Sequence, residues 1–157
     1  MPKIVVIENV SLDGVMQAPA APDEDTSGGF ALGGWAAAYQ DETLAAEMGK
    51  GMASAGPMLF GRTTYENMAA FWPHQTDGNP YTEVLNNVRK YVVSTTLRDP
   101  LPWQNSTVIA ADEIPALKKE DGPDISVLGS GRLVRWMLRE RLVDELVLVV
   151  CPLVLGT

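Results

Sequence analysis

The sequence predicts an α/β fold with three layers, in which a mostly parallel central sheet is flanked by helices. Short apolar runs of strand length alternate with amphipathic segments of helix length along most of the 157 residues. The first apolar run lacks a clean polar face, as do strands that are buried on both sides of a parallel sheet. Neither a repeat nor a linker divides the chain, so we predict a single domain over residues 1–157.

The composition is that of a folded protein, with 46% hydrophobic and 20% charged residues. A formal net charge of −8 disfavours nucleic acid and anionic membranes as general partners. The one cysteine, Cys151, cannot form an internal disulfide, and neither a signal peptide nor an apolar run that would span a bilayer is evident. We therefore expect a cytoplasmic protein in which a local patch of donors holds any anionic ligand.

The chain begins with a strand, a turn and a long loop. Residues 3–10 form a β-branched run, and the turn residues Ser11-Leu12-Asp13-Gly14 follow it. Residues 17–34 are rich in Ala, Pro, Gly and acidic residues, which predicts a mobile loop that is either a lid or a plain surface insertion. An apolar stripe then predicts a helix over about 35–55. The stripe consists of Trp35, Tyr39, Leu44, Met48 and Met52.

The rest of the chain continues the alternation of strands and helices. A strand at 57–60 leads into a helix that Thr63 or Thr64 would cap and that ends before Pro73. Asp112 is the expected cap of a later, short helix. The remaining predicted strands cover 90–94, 107–110, 125–128 and 144–151, and the remaining predicted helices cover 81–88, 112–119 and 132–141.

Glycines lie between a strand and a helix in the segment Leu128-Gly129-Ser130-Gly131-Arg132-Leu133. A backbone without Cβ atoms can pass close to a phosphate, and the free N–H groups and dipole of the following helix favour an anion. The segment is not a Rossmann fingerprint, which would need another glycine at Val134. The pattern is typical of a pyrophosphate cradle, and a purely structural turn explains it about equally well.

Two other predicted strands also end in polar residues. Gly61-Arg62-Thr63-Thr64 opens a helix, where a guanidinium beside hydroxyls and free N–H groups suits a phosphate monoester. Ser94 and Thr95 add hydroxyls after the next strand. Helix capping, a solvated arginine and turn chemistry are the structural alternatives. Three strand ends that carry glycine, hydroxyl or arginine together favour a ligand site, because open α/β sheets bind ligands at the carboxyl ends of their strands.

Other kinds of active site are disfavoured. His74 is the only histidine and lies in a predicted loop without a nucleophile elbow, which argues against a Ser-His-Asp triad. One histidine and one cysteine cannot form a Cys/His zinc site, and the zinc deaminase signature is missing. We expect no metal.

These motifs together resemble dihydrofolate reductases and, more closely, the reductase domain of bacterial riboflavin biosynthesis and its stand-alone relatives. The resemblance spans nearly the whole chain and depends on the order and spacing of the motifs. The motifs are Ser11-Leu12-Asp13-Gly14, Gly61-Arg62-Thr63-Thr64-Tyr65-Glu66, Val93-Ser94-Thr95, Leu128-Gly129-Ser130-Gly131-Arg132-Leu133, Asp144-Glu145-Leu146 and Cys151-Pro152-Leu153-Val154-Leu155-Gly156.

The resemblance implies a dihydrofolate-reductase-like fold and an NADPH-dependent reductase. Hydride would pass from the nicotinamide to a C=N or C=O carbon of a small heterocyclic, pterin- or pyrimidine-like substrate. Asp13 is the implied catalytic residue, near the nicotinamide and substrate together with Gly14. The implied cofactor-binding residues are Gly14, Gly61, Arg62, Thr63, Thr64, Ser94, Thr95, Gly129, Ser130, Gly131, Arg132 and Leu133.

Within this set, the residues divide by the part of NADPH that they would contact. Gly61, Arg62 and Thr63 would lie near the adenosine phosphate, and Ser94 and Thr95 near the adenosine. Residues 129–133 would surround the pyrophosphate.

The resemblance also implies a homodimer and a final C-terminal strand that this sequence lacks. The last predicted strand supports the dimer modestly, because it is apolar on both alternating faces and both must be covered. Helices of the same chain that cover both faces of this strand would explain the same pattern. A rival function keeps the fold and drops catalysis, leaving a nucleotide-binding or regulatory module.

Overall fold

The computed structural model describes residues 1–53 and 55–157. Its strands are β1 (Ile4–Ser11), β2 (Met58–Gly61), β3 (Lys90–Val93), β4 (Ser106–Ile109), β5 (Ile125–Leu128) and β6 (Glu145–Cys151). Its helices are α1 (Glu42–Ala53), α2 (Arg62–Phe71), α3 (Pro80–Asn87), α4 (Ile114–Leu117) and α5 (Gly131–Arg139). The predicted α/β fold is confirmed.

The six strands form one sheet in the order β4-β3-β2-β5-β1-β6, and every pairing is parallel. β1 pairs with β5 from Ile4 opposite Ile125, and with β6 as far as Ser11 opposite Cys151. Because all strands run in one direction, their carboxyl ends lie at one edge of the sheet. We call this the carboxyl edge.

The core lies on both faces of the sheet, because successive residues of a strand point to opposite sides. On one face, Val6, Leu59 and Val127 pack with Leu133 and Met137 of α5. We call this the α5 face. On the other face, the β2 residues on either side of Leu59 pack with side chains of α2, α3 and the segment before β4. That cluster contains Met58, Phe60, Tyr65, Leu85, Val92 and Trp103.

The predicted helix over 35–55 begins later than its apolar stripe suggests. α1 starts at Glu42, and the Asp41 carboxylate accepts a hydrogen bond from the Leu44 N–H at 2.8 Å, as an N-cap does. Trp35 and Tyr39 precede the helix and pack in a loop cluster with Phe30. The stripe therefore combines loop-core and helix residues. Ser54 and the side chain of Met52 lie outside the described residues.

The loop predicted over 17–34 has a core of its own. Trp35 and Phe30 are buried with Cys151 at the end of β6. The Trp35 indole N–H donates to the Gln17 carbonyl at 2.8 Å, and the Asn67 amide of α2 donates to the Glu24 carbonyl at 3.1 Å. The loop is thus packed against the carboxyl edge.

Two predicted helix caps are wrong. No side chain caps α2 or the short helical turn Ala111–Glu113 that precedes α4. Thr64 hydrogen-bonds another element instead. At the second turn the Glu113 carboxylate, and not Asp112, accepts a backbone hydrogen bond, from Ala110 N–H at 2.6 Å. The sequence pattern located the starts of these two helical segments but not the side chains that accept hydrogen bonds there.

Candidate functional site

The β2–α2 and β5–α5 junctions lie side by side at the carboxyl edge. β2 and β5 are neighbours, with Leu59 in register with Val127. The Gly61 N–H donates to Ser130 Oγ at 3.0 Å, and the Ser130 N–H donates to Thr64 Oγ1 at 3.0 Å. These reciprocal bonds join two segments that the sequence singled out separately, so both belong to one site.

Both helices at this junction begin without a side-chain cap. The residue before α2 is Gly61, and the residue before α5 is Ser130, whose backbone is left-handed with φ 60°. The first N–H groups of a helix have no partner within it, and the helix dipole adds positive potential there. Two uncapped starts at one edge therefore present free N–H donors that could hold an anion, although the chain has a net charge of −8.

The glycines of this junction have different roles. Gly129 has φ +57°, a conformation in which any side chain is strained. Gly131 has no such constraint, but a Cβ there would lie 3.0 Å from Met16 Cε and 3.2 Å from its sulfur. Met16 belongs to the loop after β1, so this loop reaches the start of α5.

Two arginines flank the junction and are exposed. Among the described residues, the Arg62 guanidinium makes one long ion pair, with Glu66 at 3.5 Å, and it remains open to solvent. Arg132 lies at the start of α5 near Asp25. Hydrogen bonds from Ser27 are the main cause of a lowered Asp25 pKa, and Arg132 contributes less. Thr63 is also exposed.

Ser94 and Thr95 adjoin this junction, because Gly61 is in register with Val93. Ser94 Oγ accepts hydrogen bonds from the N–H groups of Thr96 and Leu97 at 3.1 and 3.0 Å, which is turn chemistry. The Arg98 guanidinium donates to the carbonyls of Thr95 and Leu97 at 3.0 and 2.8 Å. Sequence reasoning missed Arg98, although an arginine four residues after Ser94 was a usable signal.

The side chain of Leu133 does not face the site. It is buried in the core of the α5 face with Met137, and only its backbone N–H belongs to the start of α5. A contact from Leu133 to an anion would therefore be a main-chain contact.

Asp13 and Gly14 lie in the turn after β1. Gly14 has φ +81°, and its N–H donates to the Ser11 carbonyl at 3.0 Å. The Asp13 carboxylate accepts from Ser11 Oγ at 2.6 Å and from the N–H groups of Gly156 and Leu155 at 2.8 and 3.2 Å.

These hydrogen bonds, led by that from Ser11, lower the pKa of Asp13 from 3.8 to about 2. Asp13 is therefore ionised at neutral pH and ties the turn to the segment after β6. Its catalytic assignment stays a prediction.

Residues 1–53 and 55–157 contain neither a cluster of metal-ligating side chains nor a membrane-spanning helix. Nowhere in these ranges do three or more His, Cys, Asp or Glu side chains come together as they would around a metal ion. In the same ranges, no helix has the length and apolar character needed to cross a membrane.

Residues 2–157 match the family model of the RibD C-terminal domain. The chain belongs to this family. The match covers the strand ends and junctions described above, and it confirms the resemblance to riboflavin-type reductases.

Two individual proteins are similar to this chain. One is YyaP of Bacillus subtilis (strain 168), an uncharacterised protein that is 29% identical over 106 residues. That match covers 63% of this chain and 55% of YyaP, so the chain matches little more than half of that relative.

The other is a crystal structure from Shewanella sp. PV-4, a protein assigned to riboflavin biosynthesis by name only. It superposes with a TM-score of 0.62 at 19% identity, over 98% of this chain and 79% of that one. This likeness shows a shared, dihydrofolate-reductase-like fold.

Proposed function

We propose that this protein is an NADPH-dependent reductase that delivers a hydride to a small heterocyclic substrate of the pterin or pyrimidine class. The observation that carries the proposal is the pair of uncapped helix starts joined by the Gly61 to Ser130 hydrogen bond. Family membership supports the coarser part of the proposal, a reductase of the riboflavin biosynthesis type.

The residues of the site fit a dinucleotide phosphate. The first N–H groups of α5, at residues 131–133, would hold the pyrophosphate, since the following N–H, of Val134, already donates to the Ser130 carbonyl. Met16 covers this position with a flexible side chain and would have to move aside. Arg132 is exposed at the same helix start and would add a charged donor.

A phosphate monoester on the adenosine would bind beside the start of α2. Arg62 supplies an open guanidinium there, Thr63 is the next residue of α2, and Arg98 lies in the turn that follows β3. Thr95 and the Ser94 turn would lie along the adenosine. Thr64 serves the site indirectly, because its hydroxyl holds the Ser130 backbone.

Bound NADPH would supply the hydride, and the chain would position the reacting groups. The turn at Asp13 and Gly14 would lie near the nicotinamide and substrate. Asp13 holds no proton at neutral pH, so in this proposal it positions the turn and the proton comes from solvent water. We also propose that the protein is a homodimer.

The decisive experiment measures oxidation of NADPH with a panel of dihydrofolate, flavin precursors and small carbonyl compounds. Turnover with one heterocycle supports the proposal, and NADPH affinity is measured in parallel by titration. Tight binding without turnover on any member of the panel supports the non-catalytic module instead. Absence of NADPH binding contradicts the proposed reductase.

A further inference from the structure

The strand β1 carries an amide side chain on the face of the sheet opposite α5. Ile4 and Val6 belong to the core of the α5 face, so Ile7 and Asn9 point to the other side. Asn9 is partly exposed, and its amide makes no hydrogen bond within the part of the chain that the structure describes. Neither of its polar atoms is buried without a partner, so both are accessible to a ligand.

Asn9 lies where β1 leaves its neighbour β5. The last β1 residue that pairs with β5 is Ile7, opposite Leu128, whereas Asn9 pairs with Val149 of β6. After Leu128 the chain turns at Gly129, which has φ +57°, and enters α5. On its β5 side, Asn9 therefore has no strand neighbour and adjoins the start of α5, one of the two helix starts of the candidate site.

The loop after β1 covers this face of the sheet only beyond Asn9. Ser11 and Cys151, which are in register one step further along β1 and β6, are 2% and 3% exposed. Cys151 packs with Trp35 of the loop. In the other direction, Val147 of β6 is 44% exposed on the same face. Asn9 thus lies at the border between a covered and an open part of the face, where a ligand can be partly enclosed.

Two polar side chains beside Asn9 are already paired within the chain. The Ser11 hydroxyl donates to the Asp13 carboxylate at 2.6 Å and accepts from the Val15 N–H at 2.9 Å. The Asp13 carboxylate also accepts from the Gly156 N–H at 2.8 Å. These groups hold the turn after β1, whereas the donor and the acceptor of Asn9 both remain available.

An asparagine amide is complementary to one particular edge of a heterocycle. The amide presents an acceptor, Oδ1, and a donor, Nδ2, side by side. A pyrimidinone or pteridinone ring carries the matching pair in its lactam edge, where a ring N–H adjoins a C=O. Two hydrogen bonds can then form in one plane, as they do between an asparagine and the edge of a nucleic-acid base. The apolar neighbours of Asn9 on this face, Ile7 and Val149, suit contact with the ring itself.

We propose that the heterocyclic substrate lies on the face opposite α5, against Ile7 and Val149, and that the Asn9 amide binds its lactam edge. Oδ1 accepts from the ring N–H, and Nδ2 donates to the adjoining C=O. Asn9 is then a specificity-determining residue, because a ring without that N–H leaves the amide unpaired. This inference rests on the proposed reductase and narrows its substrate class to heterocycles with a lactam edge.

The first test compares two pteridine probes in the presence of NADP⁺, which permits binding without turnover. Lumazine has lactam edges, and 1,3-dimethyllumazine has the same rings with both N–H groups methylated. The parent protein is expected to bind lumazine more tightly by on the order of tenfold, as measured by fluorescence titration. Absence of lumazine binding, or equal affinity for the two probes, overturns the proposal.

The second test assigns the preference to Asn9. Asn9→Leu keeps the approximate size of the side chain and removes both hydrogen-bonding groups. It is expected to lower the affinity for lumazine by on the order of tenfold and to leave the affinity for 1,3-dimethyllumazine nearly unchanged. Asn9→Asp keeps the shape of the side chain but cannot donate to the C=O, so it should lose the same preference. A preference for lumazine that persists in both variants overturns the role of Asn9.

Val10→Ala is the matched control. Val10 is the next residue of β1 and points to the α5 face, so its truncation should leave the affinity for both probes unchanged. An equal loss of lumazine affinity in Val10→Ala and Asn9→Leu would show a general disturbance of the strand and overturn the proposal. Circular dichroism melting verifies that each variant is folded.

A titration with NADPH alone keeps this inference distinct from the proposed function. The Asn9 variants are expected to bind NADPH as the parent does, because the amide contacts the substrate and not the cofactor phosphates. Absence of NADPH binding to the parent contradicts the proposed function and this inference with it. Normal NADPH binding without the lumazine preference contradicts only the assignment of Asn9.

Discussion

The backbone N–H of Gly61 and the hydroxyl of Ser130 lie 3.0 Å apart across 69 positions of sequence. This bond, with the return bond from the Ser130 N–H to Thr64, fixes the two helix starts relative to each other. We expect Ser130→Ala to lower the free energy of unfolding by about 1–2 kcal/mol, since the Gly61 N–H loses its acceptor.

The same variant is expected to weaken NADPH binding. Thr63→Ala is the control for stability, because the Thr63 side chain is exposed. Chemical denaturation measures the free energy of unfolding of both variants and of the parent protein. Equal stability of Ser130→Ala and the parent would contradict a structural role for this bond.

Arg62 is the residue on which cofactor preference is expected to depend. Its guanidinium is open to solvent apart from the long contact with Glu66, so it is free to bind a phosphate. A charged hydrogen bond contributes about 1.5–3 kcal/mol, and Arg62→Ala should therefore narrow the preference for NADPH over NADH by roughly tenfold or more. Calorimetric titration with both cofactors measures this, with Lys119→Ala as an exposed control. A parent protein that binds NADH as tightly would rule out this assignment.

Gly129 and Gly131 should respond differently to alanine. At Gly129 the positive φ strains any side chain, so Gly129→Ala is expected to lower the melting temperature. At Gly131 a Cβ meets only the mobile end of Met16, so Gly131→Ala should fold normally and bind NADPH more weakly. Melting curves and titrations on the same samples separate the effects. Normal NADPH affinity in folded Gly131→Ala would show that the glycine serves only the turn.

Asp13 should act through its hydrogen bonds and not through its proton. Its pKa is lowered, so its contribution to stability is present above about pH 4 and is lost only as the pH falls towards 2. Asp13→Asn should therefore lower kcat, because it loosens the turn, without changing the shape of the rate profile between pH 5 and 9. If the plot of kcat against pH lost its rise or its fall in Asp13→Asn, Asp13 would instead act as a general acid or base.

Both junctions of the candidate site could be predicted from the sequence, because glycines, hydroxyls and arginines between a strand and a helix reflect local chemistry. The hydrogen-bond partner of Thr64 could not be predicted. Its hydroxyl was expected to cap α2, but it accepts a hydrogen bond from the N–H of Ser130, which lies 66 positions away. Trp35 and Tyr39 fitted a helical period by coincidence of spacing and pack in a loop core instead. Periodicity records which residues are apolar, but not which element buries them.

Glu8 shows the same limit for a charged residue. A single acid within Val5-Val6-Ile7-Glu8-Asn9-Val10 could equally have faced solvent. Only the folded chain shows that Glu8 is buried, at 6% exposure, beside Leu148 in register on β6. Strand patterning predicts alternation, whereas the burial of one face at a sheet edge depends on the neighbouring elements.

The burial of Glu8 has a consequence for stability that can be measured on the single chain. Its pKa rises from 4.5 to about 8 on folding, so the unfolded chain releases its proton first as the pH rises. The contribution of Glu8 to the free energy of unfolding is therefore expected to be highest below pH 4.5. It should fall as the pH rises from 4.5 to about 8. Each tenfold difference in proton affinity corresponds to about 1.4 kcal/mol, so the fall amounts to several kcal/mol.

Urea denaturation between pH 5 and 8, at concentrations low enough to keep the chain monomeric, measures this fall. Asp13, with a pKa of about 2, titrates below this range, and Lys90, whose pKa burial lowers to about 8, titrates at its upper end. Glu8→Gln keeps the shape of the side chain and removes the titration, so its stability should vary much less with pH. Parallel pH dependence in the parent and in Glu8→Gln would mean that the carboxyl reaches solvent or a donor within its own chain.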